Sequence, residues 1–193
     1  MIFCIANAKG GVSKTTTAMY LAAACVRAGR RVEVIDADPQ ASAYEWAHIA
    51  RESGVDLGFE VTVGNRVTIR QQADTGKTVI IDTPPGSTEI MSAAVDVADL
   101  VIVPVIPGAS DISRMWATLD GVAHGAPAAV LLTRYAKNED LSYETRQLLT
   151  AESVPLFQTH IPRRTAIARS ANGQIGELYG YDRVLKEIDE VLT

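Results

Sequence analysis

Short apolar segments alternate along the chain with longer segments in which apolar residues recur at helical spacing. The short segments are rich in β-branched residues, and the central ones are apolar nearly throughout, as is typical of strands covered on both faces. The pattern predicts strands at residues 2–6, 32–36, 60–63, 79–82, 100–105, 128–133 and 156–160. It predicts helices at residues 14–28, 41–52, 67–74, 89–97, 112–124, 143–152, 165–171 and 182–192.

This alternation predicts an α/β fold built from βαβ units. The expected architecture is a three-layer, doubly wound and mostly parallel sheet with helices on both faces. Ligands in such sheets bind at the carboxyl ends of the strands, close to a switch in strand order. The length of 193 residues and the absence of an internal linker favour a single domain, residues 1–193.

Composition narrows the possible functions. The formal net charge of −5 means that nucleic-acid binding requires a local basic patch. No apolar run approaches the roughly 18 residues of a membrane span, and no secretory signal opens the chain, which predicts a cytoplasmic protein. Cys4 and Cys25 lack metal-ligand spacing and are expected to be small buried thiols.

Residues 7–16, with the sequence NAKGGVSKTT, lie between the first predicted strand and the first predicted helix. Glycines there allow backbone N–H groups to approach phosphate oxygens, and the helix N-terminus adds partial positive charge. Lys14 is placed to reach the β- and γ-phosphates, and the Thr15 hydroxyl to bind magnesium. The predicted nucleotide contacts are Lys9, Gly10, Gly11, Val12, Ser13, Lys14, Thr15 and Thr16.

Acidic residues end two of the predicted strands. Asp36 and Asp38 close the second strand, where alternate residues point the same way if the strand geometry persists. Asp82 closes an apolar strand, the arrangement in which a carboxylate holds magnesium beside a phosphate loop. Taken alone, an Asp-x-Asp turn could equally be a solvated cap, but the phosphate loop favours a shared site.

The segments KGGVSKT, DADPQ and DTPPG resemble the deviant Walker A, A′ and B motifs of the ParA/MinD family of ATPases. The resemblance implies a P-loop NTPase fold that binds ATP or ADP with Mg²⁺. It implies that Lys9 reaches the partner's nucleotide across an ATP-sandwiched homodimer and that Asp38 orients the attacking water. Asp36 would support the magnesium shell. Ser13 departs from the family glycine, and a positive φ there costs about 1 kcal/mol, which is expected to slow turnover or weaken nucleotide binding.

The carboxy-terminal part carries less specific signals. Arg134 follows a predicted strand and either stacks on the adenine or is solvated, while Pro162 is expected near the base. Arg163, Arg164 and Arg169 lie in an acid-free stretch that resembles the DNA-contacting region of ParA proteins. The alternative is that one or two of these arginines pair with acids of the same subunit.

Trp46 and the last predicted helix lie outside these motifs. Trp46 either lines a dimer or polymer interface or packs in the core. The last predicted helix carries more acids than bases, so we expect it to pack on the core and not to bind a membrane.

The resemblance covers nearly the whole chain and is closest to short ParA proteins, which lack a helix-turn-helix arm. It implies an ATPase for plasmid or chromosome partition that is associated with the nucleoid. ATP would drive dimerisation and non-specific DNA binding, and a ParB-like partner would stimulate hydrolysis; assembly into polymers stays open. The alternatives are an ATPase that positions another cargo, a metabolic enzyme of the same superfamily, and a nucleotide-binding scaffold without turnover.

Overall fold

The computed structural model describes residues 1–72, 76–86, 88–122 and 125–192. Strands and helices alternate as far as residue 151, as the sequence pattern predicts, and the rest of the described chain contains helices but no further strand. The strands are β1 (Ile2–Ile5), β2 (Val32–Asp36), β3 (Glu60–Val63), β4 (Thr78–Asp82), β5 (Leu100–Val105) and β6 (Ala128–Leu132). The helices are α1 (Lys14–Arg27), α2 (Ser42–Glu52), α3 (Arg66–Arg70), α4 (Thr88–Val97), α5 (Ala109–Val122), α6 (Asp140–Ala151), α7 (Thr165–Arg169) and α8 (Tyr181–Leu192), with a 3₁₀ turn at Ser170–Asn172 after α7.

The strands form one six-stranded sheet in the order β3-β2-β4-β1-β5-β6. Every neighbouring pair in this sheet is parallel, which confirms the predicted fold class. In the register, Asp82 of β4 pairs with Asp36 of β2 on one side and with Ile5 of β1 on the other. The last residues of three adjacent strands therefore lie side by side at one edge of the sheet, where the β1–α1 loop begins.

Each face of the sheet is covered by helices and buries its own apolar core. Successive residues of a strand point to opposite faces, so Phe3 and Ile5 belong to one core and Ile2 and Cys4 to the other. Helices α1, α2 and α8 cover the first core, and α3, α4, α5 and α6 cover the second. Cys4 and Cys25 are buried free thiols, as expected.

The last helix packs on the body of the protein. Val184, Leu185 and Ile188 of α8 are buried against the core that α1 also covers, which confirms the core-packing interpretation of this helix. Trp46 is likewise buried and meets Tyr20 edge-on at a ring-centroid distance of 6.3 Å, so the core alternative holds for this residue. Within the described ranges, no helix combines the length and apolarity needed to cross a bilayer.

The strand predicted at residues 156–160 is wrong. Within this segment only Leu156 forms a bridge, an isolated parallel one with Val130, and Pro162 beyond it forms another with Tyr135. The physical reason is a carboxylate from α8. Phe157 donates its amide to the Val130 carbonyl, but the Thr159 amide, which would continue the ladder, donates to the side chain of Glu187, as does the Gln158 amide.

Several predicted helix limits shift by a few residues. Helix α5 begins at Ala109 and α6 at Asp140, earlier than the apolar periodicity indicates, because their first turns are polar. Helix α3 ends at Arg70. The predicted ends of α3 at residue 74 and of α5 at residue 124 lie outside the described residues.

Candidate nucleotide-binding site

The β1–α1 loop has the backbone of a phosphate loop. Gly11 and Ser13 both have positive φ, 77° and 74°, so the left-handed conformation anticipated for Ser13 is present. Ser13 is the N-cap residue of α1 and its side chain makes no capping hydrogen bond. The first amides of an α-helix have no acceptor within the helix, so this N-terminus keeps donors directed at the loop, as anion binding requires.

Side chains from other elements hold the loop in shape. The side-chain NH₂ group of Asn7 donates to the Pro104 carbonyl at 2.8 Å, and its side-chain oxygen accepts the backbone amide of Lys9 at 2.9 Å. Thr118 of α5 accepts the Ala8 amide, and Thr133 donates to the Val12 carbonyl. Sequence reasoning did not find the loop-holding roles of Asn7, Thr118 and Thr133, because these depend on contacts across the fold and not on the motif itself.

The two lysines of the loop are held in different ways. Lys14 is buried, and its ammonium donates to the Lys9 carbonyl at 3.0 Å. Burial lowers the Lys14 pKa, and the nearby Asp82 and Asp38 carboxylates oppose that shift. The Lys9 ammonium lies 2.7 Å from Asp111 and 3.0 Å from the Ser110 hydroxyl, both on α5.

Asp82 is the acid most strongly affected by its surroundings. Burial raises its pKa from 3.8 to about 7; the neighbouring Thr15 hydroxyl and Lys14 ammonium lower it, and Asp36 raises it further. Neither carboxylate oxygen makes a geometrically acceptable hydrogen bond within the described residues. A buried carboxylate with unpartnered oxygens beside a hydroxyl is a donor set that suits Mg²⁺, which prefers oxygen ligands. The residues present therefore fit the predicted magnesium site.

Asp36 and Asp38 are both close to this site but differ in their surroundings. Asp36 is fully buried, and both its oxygens accept backbone amides, from Asp38 at 3.1 Å and Tyr44 at 2.9 Å. Burial raises the Asp36 pKa, and these hydrogen bonds oppose the shift. Asp38 accepts the amide of Gln40 in the turn that follows β2.

A cavity of about 350 Å³ adjoins the phosphate loop. Ser13 and Thr16 form one side of it, and Arg134 and Pro162 form another, so the structure brings the predicted adenine-side residues next to the loop. Its volume lies at the lower end of the range usual for small-molecule sites. Arg163 and Arg164 line the same cavity, and Arg163 also lies 3.5 Å from Glu139, so one predicted DNA-binding arginine has an acidic partner in its own chain.

Arg169 is the third arginine predicted to bind DNA. It lines a second cavity, with Tyr20, Ser170 and Tyr179 among its neighbours. Arg163 and Arg164 thus line a different cavity from Arg169, although Arg164 and Arg169 stand at the two ends of the same short helix, α7. Contact of all three with one duplex depends on how DNA lies over this end of the sheet, and their DNA-binding role stays a prediction.

A parallel sheet with a pre-formed phosphate loop, two lysines and a magnesium-suited carboxylate at one edge defines the P-loop class of nucleotide-binding proteins. More narrowly, the chain belongs to the CobQ/CobB/MinD/ParA nucleotide-binding domain family, whose model matches residues 3–176. The family predicted from the three motifs is thus confirmed.

Known relatives include a carboxysome-distribution protein and a chromosome-partitioning ATPase. The chain is 33% identical over 175 residues to the maintenance of carboxysome distribution protein A of Gloeobacter kilaueensis, covering 88% of this chain and 80% of the relative. It is 30% identical over 205 aligned residues to the chromosome-partitioning ATPase Soj of Thermus thermophilus, covering 86% of this chain and 82% of the relative.

A solved structure shows the same fold. It is a putative plasmid partition protein from Borrelia burgdorferi bound to AMPPNP, with a TM-score of 0.76, 18% identity and 98% coverage of both chains.

Proposed function

We propose that this protein is an ATPase that uses ATP and Mg²⁺ to switch between a monomer and a DNA-binding homodimer during DNA partition. The observation that carries the proposal is the grouping of Lys14, Thr15 and Asp82 at the pre-formed loop, with Lys9 beside them. The partition protein Soj among the relatives supports this choice of function.

Each residue of the site has its own role in this mechanism. The loop amides and Lys14 bind the phosphates, and the Thr15 hydroxyl with the Asp82 carboxylate holds the metal. Bound Mg²⁺ neutralises charge that develops on the phosphate oxygens. Asp38 orients the attacking water. Lys9 leaves Asp111 and stabilises charge on the partner's nucleotide, so the complete site needs two copies of the chain.

Lys14→Ala tests the nucleotide switch. Because the variant loses the ammonium that would contact the phosphates, we expect no ATP-dependent dimer by light scattering at ATP concentrations that dimerise the wild type. Lys186→Ala, which removes an exposed lysine of α8, serves as the charge-matched control and should dimerise normally. Dimers of Lys14→Ala at wild-type ATP levels would contradict the role given to Lys14.

Asp38→Ala tests the hydrolytic step separately. This variant keeps the phosphate-binding loop, so we expect ATP-dependent dimers without turnover. Normal partner-stimulated hydrolysis by Asp38→Ala would remove Asp38 from the proposed mechanism.

Retention of unrelated duplex DNA at low salt tests the DNA-binding step. We expect retention with ATP, none with ADP or without nucleotide, and loss in the double variant Arg163→Ala/Arg164→Ala. Both arginines line the cavity beside the loop, so ATP binding by this variant must be measured in parallel. Arg51→Ala/Arg70→Ala removes equal charge from α2 and α3, the helices before and after β3, the outermost strand on the side of the sheet away from β6, and should retain DNA. Retention by the double variant with ATP bound would refute the assigned surface.

A second candidate is an ATPase that positions a protein cargo over DNA with the same switch. The relative named for carboxysome distribution favours it, because it matches most of both chains. The two candidates differ in the partner that stimulates hydrolysis. Stimulation by a centromere-binding protein from the neighbouring reading frame supports partition, and stimulation by a cargo adaptor supports positioning.

A further inference from the structure

Helix α2 begins without a capping side chain of its own. Its N-cap residue is Ala41, which has a φ of 51° and a methyl side chain that accepts no hydrogen bond. The missing acceptor comes from β2 instead. One carboxylate oxygen of Asp36 accepts the amide of Tyr44 at 2.9 Å, across eight residues of sequence. Tyr44 is the third residue of α2, the position whose amide an N-cap side chain normally satisfies.

The same carboxylate also holds the turn that carries Asp38. The other oxygen of Asp36 accepts the Asp38 amide at 3.1 Å. Asp38 in turn accepts two amides, that of Gln40 with its side chain and that of Ala41 with its carbonyl. Asp36 therefore ties both ends of the segment 38–44 to the end of β2, and this segment sets where the Asp38 side chain lies.

Asp36 contrasts with Asp82, its neighbour in the register of the sheet. The Asp82 oxygens have no hydrogen-bond partner within the described residues, whereas each Asp36 oxygen accepts a backbone amide and none of the Asp36 residue is exposed. Hydrogen bonds from amides to a carboxylate are about twice as strong as those between neutral groups. Two of the roughly four acceptor positions of the Asp36 carboxylate are thus taken by backbone amides, and moving this side chain towards a metal would break the hydrogen bonds that hold residue 38 and the start of α2.

We propose that Asp36 is a positioning residue that orients Asp38 through the backbone, and that it is not a ligand of the magnesium shell. The inference rests on the proposed function, because it assigns Asp38 to the hydrolytic step. It replaces the magnesium role that the sequence resemblance implied for Asp36. It makes the start of α2 part of the hydrolytic apparatus, although α2 itself contributes no side chain to the reaction.

Amide hydrogen exchange in the nucleotide-free protein tests, without any ligand, whether Asp36 holds the Asp38 and Tyr44 amides. Asp36→Asn keeps the size of the side chain but replaces one acceptor oxygen by a donor NH₂ group. We expect the Asp38 or Tyr44 amide to exchange at least about tenfold faster than in the wild type, as expected for loss of a hydrogen bond to a charged group. Asn65→Ala is the matched control, because Asn65 caps α3 by accepting two amides. It should accelerate exchange only at the start of α3.

The magnesium dependence of ATP hydrolysis tests positioning against ligation. For Asp36→Asn we expect the maximal rate to fall at least tenfold while the half-saturating Mg²⁺ concentration stays within twofold of the wild type. Asp82→Asn should instead raise the half-saturating Mg²⁺ concentration at least tenfold, and Asn65→Ala should hydrolyse ATP like the wild type.

Two results would overturn the inference. One is a tenfold rise in the Mg²⁺ requirement of Asp36→Asn, and the other is unchanged exchange at both the Asp38 and Tyr44 amides. Absence of hydrolysis in the wild type with DNA and partner present would refute the proposed function instead. The exchange measurement would then still support or overturn, by itself, the hydrogen bonds from the Asp38 and Tyr44 amides to Asp36.

Discussion

Asp82→Asn should make the nucleotide-free protein more stable, because the native carboxylate is buried and its oxygens find no hydrogen-bond partner among the residues that the structure describes. Burial moves the Asp82 pKa from 3.8 to about 7. That pKa difference lowers the free energy of unfolding by about 4 kcal/mol at a pH where the carboxyl is ionised in both the folded and the unfolded state. As pH rises, Asp82 loses its proton in the unfolded chain before it does so in the folded protein. The loss of stability therefore begins above about pH 4 and is complete above about pH 7. Stability of the wild type therefore falls across this window.

Urea denaturation in EDTA at pH 5 and pH 8 measures the effect. The variant cannot ionise at this position, so we expect its advantage over the wild type to be about 4 kcal/mol at pH 8 and less than half of that at pH 5. Mg²⁺ with ATP should stabilise the wild type more than the variant, since the cation neutralises the buried charge. Equal pH dependence of the two proteins in EDTA would refute the assignment of this cost to Asp82.

Two further predictions concern the phosphate loop. Gly11→Ala should destabilise the protein by about 1 kcal/mol. The cost comes only from placing an alanine in the left-handed conformation, since φ is +77° and the added Cβ meets nothing within 4 Å. Gly10→Ala, whose Cβ would lie 3.9 Å from Pro85, is the control and should stay within about 0.5 kcal/mol by urea denaturation; equal losses would contradict the backbone argument. Asp111→Asn frees Lys9 from an ion pair of 2.7 Å and should lower the ATP concentration for half-maximal dimerisation about two- to fivefold by light scattering; a raised concentration would mean that Asp111 contributes to the dimer.

Local sequence was sufficient to predict the parts of the site that lie within a few residues of one another. The order of strand, KGGVSKT loop and helix predicts a phosphate loop, because backbone amides and a helix N-terminus act over one turn of chain. The apolar strand that ends in Asp82 predicts a buried acid at the carboxyl edge for the same reason. The alternation of strands and helices predicts the α/β class, since each element must bury one face.

Contacts between residues distant in sequence decided the rest. The strand predicted at residues 156–160 fails because Glu187 of α8 accepts the Thr159 amide, which would continue the ladder after Phe157. Lys9 is held by Asp111, 102 residues further along the chain. Asp36 carries the sequence signature of a metal-site acid, yet one of its oxygens caps α2 and the other accepts the Asp38 amide, because the fold places the start of α2 close to the end of β2. Sequence thus determined which chemical groups the edge of the sheet carries. Only the tertiary structure decided which groups are already engaged and which are left unpartnered, because hydrogen-bond partners depend on distances across the fold.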